Sequence, residues 1–328
     1  MIDAPPFLAP ESALHLLRNA CADSSWRVRE VLEAEIVKEQ PGRRRTLRYR
    51  VVAERNGCAA REVSWFAKHY RGSRGKRVFW LLRSLGALAP EVLAPEPIGF
   101  SPMLKLLVMS ALEGSSLSET LGRSGDADSS VERAGRALAL VHGAEIPQRA
   151  EYLKAHGPRE EIVVLEEARR RASDSPLPTQ WVCRFMELCS LVEDELARCE
   201  DQERGQALLH RDFHPGQVIL PGDGIGEVGV LDWDDAALGE SELDLGNLEA
   251  HLLLDDLQRR GSIRTAPRLI GALHSGYLAR GGISFLRLAT YRRAALLRLA
   301  TLERLADPRI SVLDWAELAS ALTEAAST

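Results

Sequence analysis

The feature that most constrains the fold is a β-rich island at 207–235, which interrupts an otherwise helical second half of the chain. It contains two short apolar runs, VIL and VGVL, separated by the turn-forming segment PGDGIG. Two short strands joined by such a segment predict a β-hairpin. The hairpin would bring Gln217, just before its first strand, close to Asp232, just after its second.

Asp212 lies five residues before Gln217, on the loop that enters the hairpin. The pattern therefore predicts two carboxylates and an amide oxygen at one end of the hairpin. Phosphoryl transfer uses such a set, because one carboxylate receives the acceptor's proton and the other oxygen ligands hold Mg²⁺ against the phosphates. The island thus predicts a phosphotransferase site.

The run HRDFHPGQVIL, followed by a strand that ends in Asp-Trp, resembles the catalytic loop of aminoglycoside phosphotransferases and choline kinases. The resemblance implies a protein-kinase-like fold and transfer of the γ-phosphoryl group of ATP or GTP to a small-molecule hydroxyl. It also implies that Asp212 is the catalytic base and that Gln217 and Asp232 are Mg²⁺ ligands. By the same resemblance, His210 supports the loop and Asp244, in LGESELDLGN, braces it.

The rest of the chain predicts an α+β architecture. Alternating apolar and charged residues over 26–70 predict a three-stranded antiparallel meander, and a helix and two more strands follow before residue 110. Beyond Gly114 the pattern is mostly helical. We therefore expect a bilobal protein-kinase-like fold. A small antiparallel-sheet lobe occupies 1–110, behind a leading helix, and a larger, mostly helical catalytic and substrate lobe occupies 111–328.

The resemblance also implies a nucleotide-gripping set in the first lobe. Lys68, in the run VSWFAKHY on the third strand, would hold the phosphates. Backbone groups from Ser110 to Leu112 would face the purine. Gly42, in the first hairpin turn, would lie over the phosphates.

Three features depart from the family pattern. Gln217 stands where asparagine is usual, and its extra methylene displaces the ligand oxygen by roughly 1.5 Å if the backbone is unchanged. Either the loop compensates or the metal site is weaker. Residues 71–90 contain no acidic partner for Lys68, so Asp232 or another acid could pair with it, or the lobe could be in an unusual state. The first turn, QPGRRR, has the single Gly42, and the arginines that follow it could supply positive charge to the phosphates or lie in solvent.

Four residues near the predicted site have open roles. Asp234 and Asp235 could hold a second metal ion or face a cationic acceptor, but a solvated turn is slightly favoured. Glu249 and His251 could reach a substrate cleft, although a place on the helix surface is favoured.

Charge is unevenly distributed, with a net of +7 over 1–110 and −12 over the remainder. The acidic part weakly favours a cationic acceptor, such as an amino alcohol or an aminoglycoside-like compound, although simple solvation explains the charge equally well. A sugar is also a candidate. No basic tract with interleaved aromatic residues predicts binding to nucleic acid. The sequence predicts neither a signal peptide nor a membrane span, and its five cysteines suit free thiols in the cytoplasm.

Two alternatives stay open. The missing helix glutamate, Gln217 and the sparse glycine turn would suit a pseudokinase that binds nucleotide with little turnover. Arg211, which completes a His-Arg-Asp motif, would suit a protein kinase, but the sequence lacks the Asp-Phe-Gly and Ala-Pro-Glu segments of that class.

Overall fold

The computed structural model describes residues 7–40, 44–123, 126–146, 153–175, 178–200, 205–222 and 228–306. The chain divides into two compact units. The first comprises 1–114 and 229–234, and the second comprises 115–228 and 235–328. The predicted division into functional domains, 1–110 and 111–328, stays a prediction.

The first unit is built on a five-stranded sheet of order β1-β2-β3-β6-β5, in which every pairing is antiparallel. The predicted meander is therefore confirmed. Its elements are α1 (Pro10–Ala20), β1 (Trp26–Gln40), β2 (Arg44–Arg55), β3 (Arg61–Tyr70), α2 (Arg74–Leu88), β4 (Val92–Leu93), β5 (Pro97–Ser101) and β6 (Leu106–Ser110).

Side chains alternate across β2 and β3, as they must in a strand. Leu47, Tyr49 and Ala67 are fully buried in a core that includes Leu17 of α1. Lys68 follows Ala67 and therefore projects from the opposite face of the sheet. The register pairs Thr46 with Lys68 and sets the start of β2 opposite the end of β3.

The second unit is mainly helical within the residues described. Its helices are α3 (Leu117–Leu121), α4 (Ala127–His142), α5 (Pro158–Ser173), α6 (Thr179–Glu200), α7 (Glu242–Arg260), α8 (Ala266–Leu278) and α9 (Phe285–Ala306). Its short strands are β7 (Ser115–Ser116), β8 (Lys154–Ala155), β9 (Ala207–Leu209), β10 (Val218–Leu220) and β12 (Ala237–Gly239), and β11 (Val228–Val230) spans the division between the units.

The core of the second unit lies among α5, α6, α7 and α9. Buried aliphatic residues from these helices meet there, including Leu165, Leu196, Leu254 and Leu297. Strand β9 pairs antiparallel with β12 and leads directly into the predicted catalytic loop. None of the described helices combines the length and apolar character that crossing a membrane requires. All five cysteines are free.

Candidate active site

The predicted site residues fall in both units, and each group is described within its own unit. In the first unit, Lys68 Nζ lies 2.6 Å from Asp232 Oδ1 and 3.0 Å from Asp234 Oδ1. The Lys68 side chain is only 10% exposed. Of the alternatives for Lys68, the pairing with Asp232 or another acid is the one observed.

Arg44, the first residue of β2, completes the neutralisation of the two acids. Its guanidinium lies 3.3 Å from each oxygen of Asp232 and pairs closely with Asp234 Oδ2. Of the two readings of the turn arginines, solvation is wrong for Arg44, because its partners are buried carboxylates. Gly42 lies outside the described residues, as does Arg43.

Tyr70 closes the group, because its hydroxyl donates to Asp234 Oδ1 at 2.8 Å. We call these five residues, Arg44, Lys68, Tyr70, Asp232 and Asp234, the Lys68 cluster. Burial alone would raise the pKa of Asp232, but Lys68 and then Arg44 outweigh it and hold that pKa below its usual value. Burial and the Asp234 carboxylate raise the pKa of Tyr70 well above its usual value, so the phenol stays a donor. The cluster therefore contains two cations and two carboxylates.

The slight preference for a solvated turn at Asp234 was wrong. Its side chain is 1% exposed, although the sequence places it in an acidic, turn-like run. Long-range partners from β2 and β3 make its burial possible. Tyr70 was missed, although its spacing of two residues from Lys68 puts both side chains on the same face of a strand.

Asp232 has a backbone φ of 54°, in the left-handed region. This region is sparsely populated for a residue with a side chain, and the strain often marks functional positions. Trp233 stabilises the bend, because its indole N–H donates to Val230 O at 3.0 Å.

At the predicted purine-binding segment, two backbone donors already have partners within the first unit. Ser110 N donates to Glu96 O at 2.9 Å, and Ala111 N donates to Ser64 O at 3.2 Å. Of the two predicted residues, Ser110 therefore has its N–H committed to the sheet. This leaves Leu112 as the better candidate donor.

In the second unit, Asp244 organises the loop that carries Asp212. Its carboxylate accepts hydrogen bonds from His210 N at 2.7 Å and Arg211 N at 2.6 Å, and it lies 3.1 Å from His142 Nε2. Burial alone would raise the pKa of Asp244, but the contact with His142 and the neighbouring His210 lower it overall. Arg211 has a φ of 67°, so Asp244 holds the loop in a strained conformation.

Helix α7 contacts the loop at two further positions beyond Asp244. Asn247 Nδ2 donates to Phe213 O at 3.0 Å, and the His251 ring stacks on His214 with centroids 4.9 Å apart. Residues spaced at i, i+3 and i+7 share one helix face, so α7 presents a continuous polar stripe to the loop. The stripe was readable in LDLGNLEAHLLL as three polar positions at helical spacing.

Two expectations for this helix were wrong. His251 packs on the loop instead of lying on the helix surface, and burial followed by His214 and Arg298 lowers its pKa well below the usual value. Glu249 is fully buried, pairs with His274 on α8 and lies 3.1 Å from Arg292 on α9. Both residues join elements distant in sequence, which local patterns do not reveal.

Asp212 itself is accessible, with 42% of its side chain exposed. Its backbone N–H donates to His210 Nδ1 at 3.3 Å, and its Oδ2 lies 3.9 Å from His214 Nε2. His210 is fully buried, as expected of a residue that supports the loop. Gln217 ends a short 3₁₀ turn immediately before β10. The convergence of Gln217 with Asp232 stays a prediction, because these residues belong to different units.

A profile of the phosphotransferase enzyme family matches residues 37–297 of this chain, which include both groups of candidate residues. The chain belongs to the phosphotransferase enzyme family. The predicted resemblance is confirmed, and so is the prediction of a small-molecule kinase at the level of the family. Among proteins with curated functions, none matches this sequence at a significant level.

Solved structures show the same fold. A spectinomycin phosphotransferase in complex with ADP and spectinomycin matches at a TM-score of 0.58 with 13% identity, covering 96% of this chain and 94% of that one. An aminoglycoside phosphotransferase with GDP and kanamycin matches at 0.57 with 16% identity, covering 90% and 94%. A choline kinase from Streptococcus pneumoniae matches at 0.57 with 14% identity, covering 91% and 94%. The predicted α+β, protein-kinase-like fold class is therefore confirmed.

Proposed function

We propose that this protein transfers the γ-phosphoryl group of ATP or GTP to a hydroxyl group of a small molecule, with Mg²⁺. The observation that carries the proposal is the buried contact between Lys68 and Asp232. A lysine on the third strand and an aspartate after the hairpin are the residues that phosphoryl transfer in this fold assigns to phosphates and metal. Two solved relatives of the fold hold ADP or GDP, which supports a nucleoside triphosphate as donor.

The charges of the Lys68 cluster suit a magnesium–triphosphate complex. Lys68 and Arg44 are cations that phosphate oxygens can engage in place of carboxylates. As the phosphates take the two cations, the Asp232 carboxylate becomes available to a metal ion. Before the nucleotide binds, the two cations and the two carboxylates of the cluster balance each other.

The available donor set fits Mg²⁺ better than a transition metal. Within the described residues, no group of three or more His, Cys, Asp and Glu side chains could hold a metal ion. Mg²⁺ commonly uses one or two carboxylates together with substrate phosphates and water, so Asp232 with Gln217 is a sufficient protein contribution. When bound, Mg²⁺ would neutralise negative charge on the phosphates.

Asp212 is assigned to the acceptor. Its exposed carboxylate can orient a hydroxyl group and receive its proton as the phosphoryl group is transferred. Asp244 and His210 hold the loop in place without touching the acceptor. Leu112, with its neighbour Ser110, is assigned to the purine.

The acceptor class is an amino alcohol, a sugar or an aminoglycoside-like compound. The net charge of −12 over residues 111–328 supports a cationic acceptor. The chemistry of the site requires only an accessible hydroxyl group. We place the enzyme in the cytoplasm, where nucleoside triphosphates and reduced thiols coexist, and we assign it neither a nucleic-acid nor a membrane partner.

The test is a turnover assay with ATP and GTP against a panel of hydroxyl acceptors, with and without Mg²⁺. Asp212→Asn should lower the rate of phosphoryl transfer by about 10²- to 10⁴-fold, because general-base assistance is lost, while nucleotide binding is retained. A matched control is Glu54→Gln, which removes an acid from the exposed Arg29–Glu54 pair of the same chain. Equal rates for native protein and Asp212→Asn would contradict the proposal.

A second candidate function is a pseudokinase. It is favoured by the absence of acidic residues from α2 and by Gln217 in place of asparagine. This candidate predicts Mg²⁺-dependent or Mg²⁺-independent nucleotide binding without transfer to any acceptor or to water. The turnover assay, combined with a binding titration, separates the two functions.

A further inference from the structure

The partner of Lys68 requires an explanation, because the helix that should provide one cannot. In kinases of this general fold, the phosphate-binding lysine is held by a glutamate on the helix after its strand. Here that helix, α2, has the sequence RGKRVFWLLRSLGAL and is described over its whole length. It contains four basic residues and no acid. An anchor for Lys68 must therefore come from elsewhere.

In the first unit, the buried carboxylate of Asp234 contacts Lys68. Its Oδ1 accepts hydrogen bonds from Lys68 Nζ at 3.0 Å and Tyr70 OH at 2.8 Å, while its Oδ2 pairs with Arg44. Its backbone carbonyl accepts from Arg77 Nη2 at 2.6 Å. Arg77 lies on α2, so the helix does reach the Lys68 cluster, but with a cation that binds the backbone of the acid.

The two acids of the cluster are not equivalent. Asp234 is 1% exposed, and both of its carboxylate oxygens have protein donors. Asp232 is 17% exposed, and although Lys68 lies only 2.6 Å from it, its two contacts with Arg44 are longer, at 3.3 Å each. A metal ion can therefore recruit Asp232 at lower cost than Asp234, since a fully buried, hydrogen-bonded carboxylate is expensive to disengage.

We propose that Asp234 is the positioning residue for Lys68, replacing the helix glutamate that this chain lacks. Asp232 leaves Lys68 for the metal ion when nucleotide binds, and Asp234 stays. Tyr70 and Arg77 keep Asp234 in place through its side chain and its backbone. This inference rests on the proposed function and adds to it the residue that keeps Lys68 aimed at the phosphates.

Two possible roles of Asp234, as a buried negative charge alone or as the positioning residue for Lys68, predict opposite effects of its substitution on nucleotide binding. If Asp234 were only a buried negative charge, its removal would reduce repulsion of the triphosphate and strengthen binding. If it positions Lys68, its removal leaves Lys68 and Arg44 to compete for Asp232, and Mg²⁺–ATP binding weakens. The sign of the change in affinity therefore separates the two roles.

The experiment is a double-mutant cycle on the full-length protein, using calorimetric titration with Mg²⁺–ATP. Asp234→Asn should raise the Kd by about tenfold or more in the native background. In the Lys68→Met background, the same substitution should change the Kd by about twofold or less, because Asp234 then has no lysine to position. Tyr70→Phe, which keeps the charge of Asp234 but removes one donor, should raise the Kd by about threefold.

Three results would overturn the inference. Tighter binding by Asp234→Asn would assign the residue to repulsion alone, and an equal loss in both backgrounds would show that it acts independently of Lys68. If Asp234→Asn does not fold, an unchanged Kd for Tyr70→Phe would overturn the inference instead. Failure of the native protein to bind Mg²⁺–ATP would instead remove the proposed function, and the native titration alone reveals that case.

Discussion

The hydrogen bonds of Asp244 make Asp244→Asn a sharp test of how the catalytic loop is held. The native carboxylate is fully buried and accepts from two consecutive backbone N–H groups, those of His210 and Arg211. An asparagine offers one acceptor oxygen, and its NH₂ group must face one of these donors. Arg211, at a φ of 67°, would lose the contact that maintains its conformation.

The magnitude follows from these contacts. A hydrogen bond to a charged group contributes about 1.5–3 kcal/mol, and a buried donor left without an acceptor costs about 1–3 kcal/mol. Asp244→Asn should therefore lower the free energy of unfolding by about 3–5 kcal/mol. The loop that bears Asp212 would also shift, and a displacement of about 1 Å costs about 10²-fold in rate.

The matched control is Asp256→Asn on the same helix, twelve residues and therefore about 18 Å further along it. The Asp256 carboxylate is also buried, and one of its oxygens accepts from three consecutive backbone N–H groups at the start of α8, those of Arg264, Thr265 and Ala266. In Asp256→Asn the asparagine oxygen can still accept from all three N–H groups, so urea unfolding should give a smaller loss of stability for this variant than for Asp244→Asn. Asp256→Asn should keep kcat within about threefold of native, whereas Asp244→Asn should lose about 10²-fold.

Equal kcat values for the two variants, measured where both are folded, would refute this reasoning. Such a result would mean that Asp244 contributes to stability alone and does not set the geometry of the loop.

Two further predictions concern the second unit. Gly276→Ala should lower the free energy of unfolding by about 1–3 kcal/mol, because a Cβ there would lie 1.9 Å from Glu132 O on α4. Gly271→Ala on the same helix, where a Cβ meets nothing within 4 Å, should instead stabilise the protein by about 1 kcal/mol. Equal urea midpoints for the two variants would contradict the close packing of α4 on α8. Because the pKa of His251 is lowered in the folded protein, protons bind the unfolded chain more strongly, and the free energy of unfolding should fall as pH drops below about 6.5, by at most about 1.4 kcal/mol per pH unit. His251→Gln should make the free energy of unfolding less dependent on pH, and an unchanged slope in this variant would contradict the prediction.

Much of the fold was predictable because local patterns determine it. Alternation specified the meander from β1 to β3, and helical spacing specified α2. The spacing of His210, Asp212 and Gln217 before an apolar strand was enough to indicate the family. These features depend on neighbours in sequence, which a single chain displays directly.

The parts that escaped prediction depend on partners far apart in sequence. In the sequence, Asp234 is one of three acids in the run DWDDA, with nothing to mark it as buried. Its partners Lys68 and Arg44 lie more than 160 residues away in sequence and reach it only through the sheet. Glu249 reads as a surface position on α7 until α8 and α9 pack around it with His274 and Arg292. Burial of a charge is favourable only when such partners are present, so it cannot be inferred from the local sequence.

The most direct test of the account is a calorimetric titration of ATP and GTP into the native protein and Asp232→Asn, with and without Mg²⁺. The native protein should bind at least one nucleotide more tightly with Mg²⁺, and Asp232→Asn should abolish this gain. Nucleotide binding that is absent, or that depends on Mg²⁺ equally in both proteins, would contradict the assignment of Asp232 and with it the proposed chemistry of the site.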